Sequence, residues 1–138
     1  MIIHAPALYK TVKAAYITPK KTALPVLSYI RLEAVNEQVT AVMTNLTDVK
    51  AGKTRARTND GELDAICLPA RALRDWLKIA SDNGDMLMIT VDNPRMTAII
   101  TDFNGTKAQF KGIDAREFPV YQIPMDAPRF DWYGKPLA

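Results

Sequence analysis

The stretch LPARALRDWLKIA, residues 68–80, has the repeat of an amphipathic helix. At about 3.6 residues per turn, an apolar stripe about 100° wide contains Leu73, Trp76, Leu77 and Ala80. A cationic stripe about 60° wide on the opposite side contains Arg71, Arg74 and Lys78. The pattern predicts a helix that buries one side. The cationic side faces either water or a negatively charged partner.

A second segment, PALYKTVKAAYI at residues 6–17, divides in the same way. Pro6 suits the first turn of a helix, and Pro19 prevents the helix from continuing. The apolar line comprises Leu8, Val12 and Ala15, and the cations on the opposite side are Lys10 and Lys13. Two helices with equivalent patterns thus each carry a cationic face.

Strand-like segments surround both helices in an order that occurs twice. MIIHA (1–5) precedes the first helix, and ELDAICL (62–68) precedes the second, after a predicted turn at Asn59-Asp60-Gly61. Three strand-like segments follow each helix, at 23–36, 38–45 and 48–58 and then at 86–92, 95–103 and 106–113. The order predicts an α+β domain of two β-α-β-β-β halves, with both helices on one face of antiparallel sheets.

This domain is predicted to span residues 1–122, because the alternating pattern of helices and strands ends there. Residues 123–138 contain several prolines, Trp132 and Tyr133, and no clear period. They are predicted to form a tail or a linker.

Composition limits the classes of protein that are compatible with the chain. It has 138 residues, of which 48% are hydrophobic and 24% charged, as in ordinary globular domains. Apolar runs fall short of the roughly 20 residues needed to span a bilayer, so no membrane partner is expected. The single cysteine, Cys67, cannot pair within the chain, which favours a reducing, cytoplasmic setting.

The charge is unevenly distributed, although the net charge is only +3. No acidic residue precedes Glu33, whereas this N-terminal part contains Lys10, Lys13, Lys20, Lys21 and Arg31. Such a region fits a polyanionic partner or an ordinary solvated surface, and composition alone favours the solvated surface.

The chain lacks the patterns of a catalytic or metal site. His4 has no carboxylate or cysteine at metal-ligand spacing, and Cys67 lies in an apolar strand, where a buried thiol is expected. There is no glycine-rich phosphate loop or nucleophile elbow. We therefore expect no catalytic residue, metal or cofactor, and no enzyme. The alternating Lys53, Arg55 and Arg57 are predicted to be the solvent face or the protected edge of a strand.

Three segments together resemble the bacterial DNA polymerase III β subunit, the DNA sliding clamp. ALPVLSYIRLEA (23–34) is similar to the family's "T-L-P-I-L" strand entry, and CLPARALRDWLKIA (67–80) to its "V-P-A-R-K" second helix. KAQFKGIDAREFPVY (107–121) resembles its closing strand and "D/E-F-P" turn. The segments occur in the family's order, and the resemblance covers about residues 1–122.

The resemblance implies a fold and a DNA-binding surface. In this family the two helices of each domain line the inside of a ring, and six domains encircle duplex DNA. By position, Arg71 and Lys78 match basic inner-helix residues, and Lys21 matches a basic residue in a loop that touches DNA. Helical geometry and local charge add Lys10, Lys13, Lys20 and Arg74 as DNA-binding candidates. Contacts of this kind are cationic and indifferent to sequence, which permits sliding.

The sequence also departs from the family pattern. Clamp chains carry three domains, whereas residues 1–122 account for one, and the family's peptide pocket lies mainly on the third domain. Asn45 and Leu46 stand where the family often has a "G-T-D" segment.

Two functions therefore remain open. One is a replication processivity element that contacts duplex DNA, either as the first domain of a longer clamp or as a one-domain protein that forms a homo-oligomeric ring through its sheet edges. A polymerase and a clamp loader are possible partners of such an element. The other is a single-domain interaction module that regulates replication or transcription through protein contacts without encircling DNA.

Overall fold

The computed structural model describes residues 1–21, 24–57 and 63–137. The two α-helices are α1 (Ala5–Ala15) and α2 (Ala70–Asp82). The strands are β1 (Ile2–His4), β2 (Tyr29–Val35), β3 (Gln38–Thr44), β4 (Val49–Arg55), β5 (Leu63–Pro69), β6 (Met86–Asp92), β7 (Thr97–Asp102), β8 (Lys107–Lys111) and β9 (Ile113–Asp114). The predicted order of strand, helix and three strands, occurring twice, is confirmed.

The two halves exchange their first strands. One antiparallel sheet has the order β1-β6-β7-β8, and the other has the order β4-β3-β2-β5-β9. Thus β1 of the first half pairs with β6 of the second, with Ile3 opposite Leu87, while β5 of the second half pairs with β2. This exchange links the halves into one structure with a shared core.

Both helices cover that core. Leu8 and Val12 of α1, together with Leu73 and Leu77 of α2, are fully buried in the same cluster as strand residues of both sheets. The predicted apolar stripes are therefore the buried sides of the helices. Each fully buried leucine or valine contributes about 1.5–3 kcal/mol to folding.

Helix α1 lies unusually close to β4. A Cβ atom built on Gly52 would meet the carbonyl oxygen of Thr11 in α1 at 2.4 Å. Only glycine permits this approach, because any side chain here would collide with backbone rather than with a movable side chain. Gly52 therefore fixes how α1 sits on the five-stranded sheet.

A smaller apolar cluster covers the other face of this sheet. Val42, Ala51 and Cys67 are buried there with Phe118, and Tyr121 packs against them. The Tyr121 hydroxyl accepts a hydrogen bond from Arg31 at 3.0 Å. The predicted burial of Cys67 is confirmed.

Several local boundaries differ from the sequence predictions. Residues Pro25–Ser28, predicted as strand, form a 3-10 turn, and β2 begins at Tyr29. The β2–β3 turn is tight, with φ of 51° at Asn36 and 67° at Glu37. The predicted turn at Asn59-Asp60-Gly61 lies outside the described residues. No helix in the described part of the chain is both long and apolar enough to cross a membrane.

Candidate nucleic-acid interface

The C-terminal end of α1 lies beside the first two turns of α2. The two helices pack directly against each other. Tyr16, the residue that follows α1, places its ring 4.1 Å from the guanidinium carbon of Arg74. This contact joins the end of α1 to the cationic side of α2.

Arg74 is held in place by its neighbours. Besides stacking on Tyr16, its Nε and one Nη donate to the Asp75 carboxylate at 3.2 and 3.1 Å. The Arg74 side chain is 31% exposed. Its charge is partly neutralised and its position is fixed, so it is the least available cation of the predicted α2 stripe.

Arg71 is exposed, in contrast to Arg74. The Tyr16 hydroxyl lies close enough to raise the pKa of Arg71, with Asp75 making a smaller contribution. Among the described residues, this buried hydroxyl has no partner with good hydrogen-bond geometry. Tyr16 therefore contacts both arginines, and Arg71 is the more exposed of the two.

A surface pocket joins Arg71 to the loop that follows α1. Its volume is about 430 Å³, and it is lined by Pro19, Lys20, Lys21, Ser28 and Arg71. Three cations from segments about fifty residues apart in sequence thus converge, and none of the described residues that line the pocket is a carboxylate. We call this the cationic pocket. A phosphate group would find complementary charge there without any contact to a base.

The remaining predicted cations lie outside this pocket. Lys78 is exposed on α2, and Lys13 is exposed on α1, with its Nζ 6.0 Å from the centre of the Tyr9 ring. Lys10 is engaged differently, because its Nζ donates to the carbonyl oxygen of Gly134 at 2.8 Å. The structure therefore unites Lys20, Lys21 and Arg71, and it separates Lys10 from them.

The partner of Lys10 belongs to residues 129–137, which we call the strap. The strap lies against β4, since Phe130 N–H donates to the Lys53 carbonyl at 2.9 Å and Lys53 N–H donates to Pro128 at 3.0 Å. It also lies against α1, because a Cβ on Gly134 would meet the backbone of Ala7 and Pro6 at 3.0 Å. The segment predicted as a tail or linker thus packs along an edge of the sheet.

The sequence predicts that His4 is an ordinary core or surface histidine rather than a metal ligand. It does not reveal that His4 packs against the strap. The His4 ring lies edge-on to Trp132 at 4.8 Å and 5.3 Å from Tyr133, both in the strap. Burial lowers the pKa of His4. In the strap, Asp131 followed three residues later by Gly134 is typical of a turn. This pattern does not indicate where the turn packs.

Potential metal ligands and the one thiol were the remaining candidates for a reactive site. The described residues contain no group of three potential metal ligands. Burial raises the pKa of Cys67 to about 11, so this thiol stays protonated at neutral pH and is a poor nucleophile.

The interlocked β-α-β-β-β halves, with their helices side by side over one core, define the DNA-clamp fold. More particularly, solved structures of the DNA polymerase III β subunit are similar to this chain over 88% of its length. The TM-score is 0.75 for the Caulobacter crescentus protein and 0.74 for the Pseudomonas aeruginosa protein, each at 22% sequence identity. The Bartonella birtlesii sliding clamp bound to griselimycin gives 0.73 at 20% identity.

These similarities establish the fold, and the resemblance stated from sequence is confirmed at that level. The chain spans about a third of the length of these clamps, 31–32%. No protein-family model matches the chain, and no curated protein matches it significantly.

Proposed function

We propose that this chain is a non-catalytic clamp domain that contacts duplex DNA through the phosphate backbone as a replication processivity element. The single observation that carries the proposal is the cationic pocket, where Lys20, Lys21 and Arg71 converge beside the packed helices. The solved structures that are similar to this chain include DNA polymerase sliding clamps, which supports placing this surface against DNA.

The physical requirements of such a surface match the exposed cations. A ring stays on DNA because it encircles the duplex, so its individual contacts need not be strong. They should be weak, cationic and independent of sequence, so that the ring can slide. Lys78 and Lys13 extend the surface along the two helices. Lys10 and Arg74 are proposed to contribute less, because each already has a partner within the chain.

The test is a salt titration of DNA binding by the full chain. The combined change Lys20→Ala, Lys21→Ala and Arg71→Ala should reduce affinity and lower the slope of log K against log salt by about 2 to 3, at about 0.9 per lost phosphate contact. The matched control removes three cations away from the helices, Arg95, Lys107 and Lys111.

An unchanged slope in the first variant, or an equal fall in both variants, would refute the proposed surface. Oligomeric mass addresses the encircling role separately, because a closed ring of single clamp domains should require six copies. If the chain is a monomer and still shows the predicted salt dependence, it contacts DNA but does not encircle it alone. It would then need other clamp domains to form a ring.

A further inference from the structure

The strap occupies the pairing groups of an edge strand. Strand β4 is the outermost strand of the five-stranded sheet. Lys53 lies near its middle, where its C=O accepts from Phe130 of the strap and its N–H donates to Pro128, the residue just before the strap. A strand that extended this sheet would need the same two groups. Strap docking and continuous pairing along β4 therefore exclude each other.

Further contacts hold the strap closed. The Thr54 hydroxyl lies 3.2 Å and 3.1 Å from the carbonyl oxygens of Phe130 and Asp131, within hydrogen-bonding distance of both. The Arg57 guanidinium lies 5.7 Å from the Trp132 ring centre. The strap also folds on itself, since the Asp131 carboxylate accepts from the N–H groups of Tyr133 and Lys135. It can thus dock and leave as one preformed unit.

Opening the strap should cost far less than unfolding the domain. Of residues 129–137, only Gly134 is fully buried, and the apolar side chains of the strap are at most half-buried, with Trp132 packed against the edge of the core. Segments with few buried apolar side chains open at the low end of the stability range. The β4 edge is therefore protected by a contact that a competing strand could replace.

The charge on the edge indicates which strand fits. Lys50, Lys53 and Arg55 are spread along β4 and stay there when the strap is displaced. In the closed state Lys53 and Arg55 line a groove of about 350 Å³ with Asn36, Gln38 and Thr54, the strap forms its other wall, and none of the described residues that line it is a carboxylate. An acidic strand would complement this surface.

A second copy of the chain fits less well. The four-stranded sheet ends at β8, whose exposed lysines are Lys107 and Lys111. Pairing β8 of one copy with β4 of another would place cations against cations, which is destabilising in a sheet.

We propose that the strap is an intramolecular plug of the β4 edge, which an acidic extended segment of another protein displaces by pairing with β4. This surface is separate from the cationic pocket and does not depend on DNA binding. It would give the domain a protein-binding site that is closed in the isolated chain.

The test uses a blocked eight-residue peptide of alternating threonine and glutamate, with a threonine–lysine peptide as the charge control. Amide exchange of the full chain is followed by NMR at Lys53 and Phe130. The acidic peptide should release the Phe130 N–H while Lys53 N–H stays protected, because the peptide replaces Pro128 as its acceptor. Unchanged protection at both amides, or equal loss at both, would overturn the proposal.

A matched pair of glycine variants adds an independent readout. Gly134→Ala strains a φ of +89° and also presses against α1, whereas Gly105→Ala strains a φ of +95° in open space. Gly134→Ala should raise peptide affinity by about fivefold or more relative to Gly105→Ala, since about 1 kcal/mol of strap docking is lost. Equal affinities would contradict the plug. A Gly134→Ala chain that instead self-associates would assign the edge to a second copy and refute the acidic partner.

Discussion

The two ends of the helix pair differ in how available their cations are to a partner. At the end near residues 16–21, Lys20, Lys21 and Arg71 surround a pocket that is open to solvent. At the end near the start of α1, the strap covers the helix and Lys10 is bonded to Gly134. A helical wheel assigns Lys10 and Arg71 to equivalent faces, and both residues are exposed, yet the Lys10 ammonium already donates to a backbone carbonyl whereas Arg71 lines the cationic pocket.

The difference shows that a cationic stripe in the sequence does not by itself identify the cations that are available to DNA. Their availability also depends on acceptors within the chain. A carbonyl oxygen, a neighbouring carboxylate and an aromatic ring can each satisfy a cation that a sequence pattern would assign to DNA. Lys10 and Arg74 are engaged in these ways.

The largest effect should come from Gly52→Ala, which disturbs both ends of the helix pair. The new methyl group would collide with the Thr11 carbonyl, so α1 must lift from β4 and both ends of the helix pair lose their support. We expect a loss of about 3 kcal/mol in the free energy of unfolding, measured by urea denaturation.

Gly84→Ala is the control, because a Cβ there has no neighbour within 4 Å although φ is +69°. It should cost only about 1 kcal/mol from backbone strain. If both substitutions cost the same, the close approach of α1 to β4 does not limit stability.

A smaller effect should separate Arg71 from Arg74, which are one turn apart on α2. Arg71→Ala should weaken DNA binding about three- to fivefold and lower the salt slope by about 1, as expected for a lost phosphate contact. Arg74→Ala should change affinity less than about twofold, because Arg74 is stacked on Tyr16 and paired with Asp75. Fluorescence anisotropy of labelled duplex DNA at several salt concentrations measures both. The reverse ranking would show that burial does not set the availability of these cations.

The sequence predicted the parts of this molecule that depend on local periodicity. The apolar stripe of residues 68–80 identified α2 to within two residues at each end, and the alternation of Lys53, Arg55 and Arg57 indicated an exposed or edge strand. These features follow from which residues are three or four apart in a helix, or two apart in a strand.

The features that sequence did not reveal depend on long-range pairing. The exchange of β1 and β5 between the sheets is decided by packing of both halves around one core, and neither strand encodes its partner locally. Docking of the strap depends on the gap above Ala7 that Gly134 fills. The convergence of Lys20 with Arg71 likewise requires the three-dimensional path of the loop after α1.

The smallest effect should come from protonating His4, which tests how the strap packs at the covered end of the helix pair. Burial against the strap lowers the pKa of His4 below its ordinary 6.5, so the unfolded chain binds this proton more readily than the folded chain. The contribution of neutral His4 to stability is therefore complete above pH 6.5 and declines as the pH falls through 6.5 toward the folded-state pKa. His4 is the only histidine, so its ring proton resonance reports the titration directly. A His4→Gln chain should lose this part of the pH dependence of the urea midpoint between pH 5 and 8. A folded-state His4 pKa above 6.5 would mean that the rings of Trp132 and Tyr133 favour the imidazolium instead, and stability would then rise on acidification.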